Sequence, residues 1–409
     1  MLKKPIWNTL VQIIGKILTI LISLITTAIL TRKLGTGVYG AFILTTSVFL
    51  LLDALADFGS RAIGVREASK NPNRSEEIYQ ELTGLRLILA NIGFVIGMII
   101  IFTFEGFAQI KLAALISLSM IFFTSLAGSL EIVFQTRMRL DLKTIMDVSF
   151  PLFFLILLLI YPLKLTLVGV MVMYLVSRIV SLIIGQKLTH RPAWIVKFKQ
   201  IGTWLKELWP MGVYLLVFTA YDRAVDSMMI SHFLSMNEVA WYGLSYKIYG
   251  NLVQPAYFFV ASIFPLLSSP IPGKRKLFFS SLSLIIIGLA ITAPLLSWLA
   301  PWIINVLGGI EFGPAIAVLR ILIFAMIFAY LNHLLGFTLI ARGSQKSILF
   351  VGTVVLVVNI IGNWLVIPRW GINGAAGVTV LTEALSMILL GGQLLRQRDN
   401  LRIITDKLP

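Results

Sequence analysis

The sequence contains no cysteine, which excludes disulfides, thiolate nucleophiles and cysteine-ligated metals. Its three histidines, His190, His232 and His333, are scattered along the chain, so no histidine metal centre is expected. Charge is also scarce. Only 13% of the residues are Asp, Glu, Lys or Arg, against about 25% in an average soluble domain. No glycine-rich phosphate loop stands between a strand and a helix; "GTGVYG" at 35–40 joins two apolar runs instead. ATP hydrolysis and bound cofactors are therefore not expected.

Apolar sequence is what the chain has in quantity, at 58% of 409 residues. Its apolar runs are long enough to cross a hydrocarbon core about 30 Å thick, and they recur from one end to the other. The pattern predicts an all-α polytopic membrane protein with twelve transmembrane helices. The spans are placed at 7–31, 39–60, 83–104, 112–135, 144–162, 165–186, 208–231, 239–268, 277–299, 314–340, 346–367 and 371–395. The first run is too long for a signal-peptide core and lacks a small-residue cleavage site, so it is read as the first span.

A net charge of +16 could suggest a nucleic acid, but here the basic residues are spread over many short loops. That is the signature of membrane topology, and no nucleic-acid partner is expected. Placing both termini in the cytoplasm puts 23 Lys and Arg inside and five outside, namely Arg32, Lys33, Lys111, Lys164 and Arg369. This orientation predicts an inner (cytoplasmic) membrane protein. The longest polar segments, 61–82 and 187–207, both fall inside. The second, "HRPAWIVKFKQIGTWLKELWP", mixes Lys with Trp, Phe and Ile, as an amphipathic helix in the headgroup region would. An expected division follows: an N-terminal six-helix lobe at 1–190, an amphipathic cytoplasmic linker at 191–207, with an ordinary basic loop as the alternative reading of that segment, and a C-terminal six-helix lobe at 208–409. Two six-helix halves share one orientation, which suits alternating access by rocking.

A charged residue near a helix centre costs about 2.5–3.5 kcal/mol on insertion scales, so it normally faces a bundle interior or an aqueous cavity. Depth selects Lys16, Asp53, Arg178, Asp222, Arg223, Lys247 and Glu383, with Asp226 somewhat nearer the outer side. Asp57, Arg61, Arg86 and Glu131 lie near cytoplasmic ends, where snorkelling is easy. Helical spacing adds structure to this set. Asp222 and Asp226 share a face with Arg223 close by, and Asp53, Asp57 and Arg61 form a stripe on the second span. Lys247, Asn251 and Gln254 form another on the eighth, ahead of Pro255. Lys16, Arg178, Arg223, Lys247 and Asn251 are the candidate substrate-binding residues, and Asp53, Asp222 and Asp226 the candidate coupling or cavity carboxylates. Each has a structural alternative, an ion pair or hydrogen bond that only holds helices together. Glu383 is expected to hydrogen-bond within the bundle.

Three stretches carry a family resemblance: "LTRKLGTGVYGAF" at 30–42, "LNHLLGFTLIARGSQK" at 331–346 and "NWLVIPRWGINGAAGVTVLTE" at 363–383. Together they resemble the Wzx-type polysaccharide and oligosaccharide flippases of the multidrug/oligosaccharidyl-lipid/polysaccharide exporter superfamily. The resemblance implies two six-helix lobes around a central cavity lined by the first, second, seventh and eighth spans. It further implies transfer of a polyprenyl-(pyro)phosphate-linked sugar to the outer leaflet, with polysaccharide polymerase or assembly proteins as partners. Two other functions stay open. An organic-cation exporter would use Asp53, Asp222 and Asp226 in an acidic cavity, whereas a glycosyl polymerase or ligase would need larger outer loops than this chain has.

Overall fold

The computed structural model describes residues 3–161, 164–190, 195–268 and 274–405, and the side chains of 3–6, 8, 9, 223, 274, 275 and 397–405 lie outside that description. Lys16 and the other candidate side chains are described; Arg223's is not. Within these limits the chain is all-α and polytopic. In a bilayer every backbone N–H and C=O must find its partner inside the protein, and apolar runs of this length do so as helices.

The helices are α1 (Lys3–Asp57), α2 (Ser60–Lys70), α3 (Ser75–Thr103), α4 (Lys111–Thr136), α5 (Leu140–Ile160), α6 (Leu167–Thr189) and α7 (Ile201–Thr219). They continue with α8 (Val225–Phe233), α9 (Met236–Ser268), α10 (Lys274–Leu307), α11 (Ala315–Ala341) and α12 (Gln345–Thr405). Nine helical stretches among the described residues are long and apolar enough to cross a membrane. Two of these each contain two spans. Helix α1 breaks at Gly35 (φ 71°, ψ 175°) and α12 at Gly371 (φ 58°, ψ −148°), backbone conformations open essentially to glycine. Counting both arms of each, and adding the joined segment from α7 to α8, gives the twelve spans expected from the sequence. Both glycines sit in the quoted family stretches, and each turns one span into the next without a loop.

Local signals set other boundaries. The Thr166 hydroxyl caps α6 by accepting from Gly169 N at 3.1 Å. At the start of α9 the Ser235 N–H donates to Glu238 Oε2 at 3.1 Å, half of a capping box written in the sequence as "SMNE". Between α1 and α2 the helix is interrupted at Phe58 (φ 43°) and Gly59 (φ 77°), both in the left-handed region. The polar segment 61–82 is thus not a loop: α2 and the first turns of α3 occupy most of it.

The chain forms two compact units, Met1–His232 and Phe233–Pro409. In the first, α3 carries "GFVIG" at 93–97, and its glycines let neighbouring helices approach closely. A Cβ on Gly97 would stand 2.8 Å from Leu52 Cδ1, and one on Gly93 would stand 2.9 Å from Ile121 Cδ1.

The first unit runs to His232 because α7 and the turn after it pack against α1, and the segment read as a linker packs into that unit as well. Lys197 N donates to Gln80 O at 3.0 Å, and Trp204 Nε1 donates to Glu81 Oε2 at 2.9 Å. Trp204 and Leu208 are buried with Phe58, Leu82 and Leu85. A tryptophan expected at the headgroups is thus part of a protein core.

In the second unit α9, α11 and α12 pack together. Tyr242 Oη lies 3.2 Å from Thr379 Oγ1, the Ser245 hydroxyl donates to Ala315 O at 2.8 Å, and the Tyr330 hydroxyl donates to Leu252 O at 2.8 Å. Helix α10 presents Ile287, Ile291, Trp298 and Trp302 outward, the apolar exposure of a lipid-facing helix.

Candidate functional site

Where the charges of the first unit meet, α1 ends. Asp57, on the last turn of α1, is buried and accepts from Arg61 Nε at 3.1 Å, the i, i+4 contact expected from the stripe. Arg86 of α3 also bonds the Asp57 carboxylate. It donates from Nη1 to Ser60 Oγ at 2.9 Å and from Nε to Ser125 O at 2.8 Å.

Arg86 is only 1% exposed, so the expectation that it snorkels is corrected. Its guanidinium points into the helix bundle because three acceptors converge there and because α4 offers Gly128 beside it. A Cβ at Gly128 would stand 2.8 Å from Arg86 Cζ.

The network continues sideways. Arg61 Nη1 reaches Glu131 Oε1 at 3.2 Å, Glu131 Oε2 lies 3.3 Å from Lys143 Nζ, and Lys143 Nζ lies 2.5 Å from Asp147 Oδ2. One turn before Asp57, Asp53 accepts from Thr124 Oγ1 at 2.5 Å and adds to the field on Arg61. Three cations and four carboxylates thus join α1, α2, α3, α4 and α5. Within it Asp57, Glu131 and Asp147 each face at least one cation, whereas Asp53 is hydrogen-bonded to Thr124.

Arg178 is different. It is half-buried on α6 with its guanidinium carbon 3.5 Å from the centroid of the Phe150 ring and 5.5 Å from that of Tyr174. Phe150 and Tyr174 meet edge to face at 4.7 Å, and Tyr174 meets Phe154 likewise at 5.0 Å. Among the described residues no carboxylate forms an ion pair with it, and its buried Nε has no hydrogen-bond partner. The sequence places Tyr174 four residues before Arg178, on the same helix face. Nothing in it indicates Phe150, which comes from α5.

The remaining candidates are separated. Lys16 is exposed on the first arm of α1 amid outward-facing Ile13, Ile17 and Leu21; that arm meets α5 through Gly15, beside Val148 and Thr144. Asp222 is half-buried and Asp226 buried, and neither is without a partner. Residues Ala220–Ala224 form a π-helical turn, so the spacing of a regular α-helix assumed for Asp222 and Asp226 does not hold there. Such turns concentrate at functional sites. Ser47 Oγ donates to Ser227 Oγ at 3.3 Å and ties this turn's continuation to α1.

In the second unit Lys247, Asn251 and Gln254 are half-buried and lie off the face through which Tyr242, Ser245 and Tyr249 pack. Glu383 is held within the bundle: Asn332 Nδ2 donates to its Oε2 at 2.7 Å and the Tyr249 hydroxyl to its Oε1 at 3.4 Å. This is the hydrogen-bonded role expected of it.

Residues 2–270 match the family described as polysaccharide biosynthesis protein. No curated protein matches the chain. Among solved structures, the fold resembles that of a multidrug resistance MATE family transporter of the MOP superfamily in its inward-facing conformation. The TM-score is 0.77 at 14% identity, over 96% of each chain. It also resembles the lipid II flippase MurJ, inward closed, with TM-score 0.73 at 17% identity over 95% of this chain and 87% of that one. A third likeness is to the eukaryotic MATE transporter AtDTX14, with TM-score 0.56 at 14% identity over 92% of each chain. These neighbours share the fold and are transporters or flippases. By its sequence match over residues 2–270, the chain belongs to the polysaccharide biosynthesis protein family.

Proposed function

We propose that the protein is a flippase, not an enzyme. It moves a polyprenyl-(pyro)phosphate-linked oligosaccharide from the cytoplasmic to the outer leaflet of the inner membrane by alternating access of its two six-span lobes, with both termini cytoplasmic. The translocated sugar feeds cell-surface polysaccharide assembly, and polymerase or assembly proteins take it up on the far side.

The observation that carries this reading is the contrast between Arg178 and the carboxylates of Asp53, Asp57 and Glu383. Asp53 is occupied by Thr124, Asp57 by Arg61 and Arg86, and Glu383 by Asn332. Among the described residues Arg178 keeps an unsatisfied buried donor. A guanidinium stacked on an aromatic ring has its plane fixed and its N–H edge available, which suits a planar or bidentate oxyanion such as a phosphate. On this reading Arg178 receives the pyrophosphate, together with Lys16, Arg223, Lys247 and Asn251. Asp53, Asp222 and Asp226 serve as coupling or cavity carboxylates.

The test is outward translocation in proteoliposomes, comparing an undecaprenyl-pyrophosphate-linked sugar with a fluorescent organic cation under imposed proton, sodium and voltage gradients. Protein-dependent movement of the lipid-linked sugar is expected. Saturable cation efflux without sugar translocation would replace this reading with a drug or cation antiporter. Sugar chains produced by the purified protein alone would replace it with a polymerase.

A further inference from the structure

On the first unit the ends of three helices border a cavity of about 410 Å³, whose lining includes neither Arg178 nor any residue of the Asp57 network. Helix α4 stops at Thr136, and the chain turns through Met138 (φ 52°) into α5. Helix α6 stops at Thr189, with His190 in the left-handed region (φ 54°). The two terminations bring together basic groups that lie about 50 residues apart in sequence. Arg137, Arg139, Lys187 and His190 line the cavity with the apolar side chains of Phe134 and Leu188.

The charge there is not internally balanced. Arg139 binds Asp141, with Nη2 to Oδ2 at 2.9 Å. Among the described residues neither Arg137 nor Lys187 has a carboxylate partner, and both are exposed. Helix C-termini favour nearby cations, which accounts for a basic residue at each helix end. It does not account for a concave chamber that gathers four of them over an apolar floor.

A cavity with a cationic rim and an apolar wall, at the end of membrane-spanning helices, matches a molecule that is anionic at one end and greasy at the other. Free phosphate or a nucleotide would leave the Phe134 and Leu188 surface unmatched. We infer that the cavity formed by the ends of α4, α5 and α6 binds the headgroup of an anionic phospholipid, with its phosphodiester held by Arg137 and Lys187 and its glycerol end against Phe134 and Leu188. Basic pockets between transmembrane helices at a membrane surface are sites of this kind. Lipid binding there does not depend on the flippase reading.

Native mass spectrometry of the purified full chain with equimolar phosphatidylglycerol and phosphatidylcholine tests this. The wild type is expected to retain phosphatidylglycerol preferentially. Arg137→Gln combined with Lys187→Gln should weaken that binding by about thirtyfold, the combined effect of two cations near a membrane surface. Arg137→Lys with Lys187→Arg should keep it, which separates loss of charge from misfolding, and Arg66→Gln on α2 should leave it unchanged. Equal retention of the two lipids by the wild type, or an undiminished preference in the double glutamine variant, would overturn the proposal. Displacement of the lipid by millimolar inorganic phosphate with no dependence on acyl chains would show a free-anion site instead, and would overturn it as well.

Discussion

Arg86 and Asp57, 29 residues apart in the chain, form an ion pair buried inside the first unit. Arg86 is 1% exposed and Asp57 4% exposed. Removing one partner leaves the other charged and unmatched, which typically costs about 3–5 kcal/mol, whereas removing both costs less. Arg86→Gln and Asp57→Asn should therefore each lower the thermal unfolding temperature in detergent more than the double variant does. An additive double variant would mean that the two side chains are not energetically coupled.

Gly128 is the space into which the Arg86 guanidinium fits. A methyl group there would press on Arg86 Cζ from 2.8 Å, so Gly128→Ala should destabilise by about 1–3 kcal/mol through overpacking. Combining it with Arg86→Gln, a shorter side chain, should relieve most of that loss. The comparison is read from melting curves of the two single variants and the double.

Arg178 rests on Phe150 at 3.5 Å, a contact worth about 0.5–2 kcal/mol. If its N–H edge serves the pyrophosphate, Arg178→Gln should cut lipid-linked sugar translocation at least tenfold while lowering stability by no more than that contact is worth. Phe150→Leu keeps the charge but not the platform, and should impair translocation less. A variant at Arg178 that melts early and yet translocates normally would mark the residue as purely structural.

The π-helical turn at Ala220–Ala224 holds Arg223 in the chain between Asp222 and the buried Asp226. For a substrate-binding Arg223, neutralising Asp226 cannot restore a lost cation. Arg223→Gln should reduce translocation, and Arg223→Gln with Asp226→Asn should stay low. Recovery in the double variant would assign Arg223 to an internal ion pair, since a lone buried charge is what the single variant would then leave behind.

Topology can be checked at two exposed positions. Lys199 precedes α7 and Asn237 lies in the first turn of α9, and the chain has no native cysteine. In intact cells Asn237→Cys should react with an impermeant external thiol reagent and Lys199→Cys should not. The opposite labelling would invert the orientation derived from the 23-to-5 distribution of Lys and Arg.

The sequence by itself determined the helices, because a bilayer leaves the backbone no other way to satisfy its hydrogen bonds and because span length is read directly from apolar run length. It also determined short-range contacts. The Asp57 to Arg61 pair follows from their spacing and the α9 cap from "SMNE", whereas the junctions at Gly35 and Gly371 read as short outer connections around Arg32, Lys33 and Arg369 until the structure joins the spans directly. Tertiary structure decided which way each helix is rotated and what stands opposite it. Arg86 reads as a snorkelling arginine until α1 and α4 supply Asp57, Ser125 and the gap at Gly128. Trp204 reads as an interfacial anchor until α3 brings Glu81 to its indole N–H. Arg178 reads as a bare cation until α5 lays Phe150 beneath it. Those partners are 39, 123 and 28 residues away in the chain for Arg86 with Ser125, Trp204 with Glu81 and Arg178 with Phe150. No local periodicity encodes such pairings, because each depends on the close approach of helices whose small residues and rotations are settled only when the whole bundle packs.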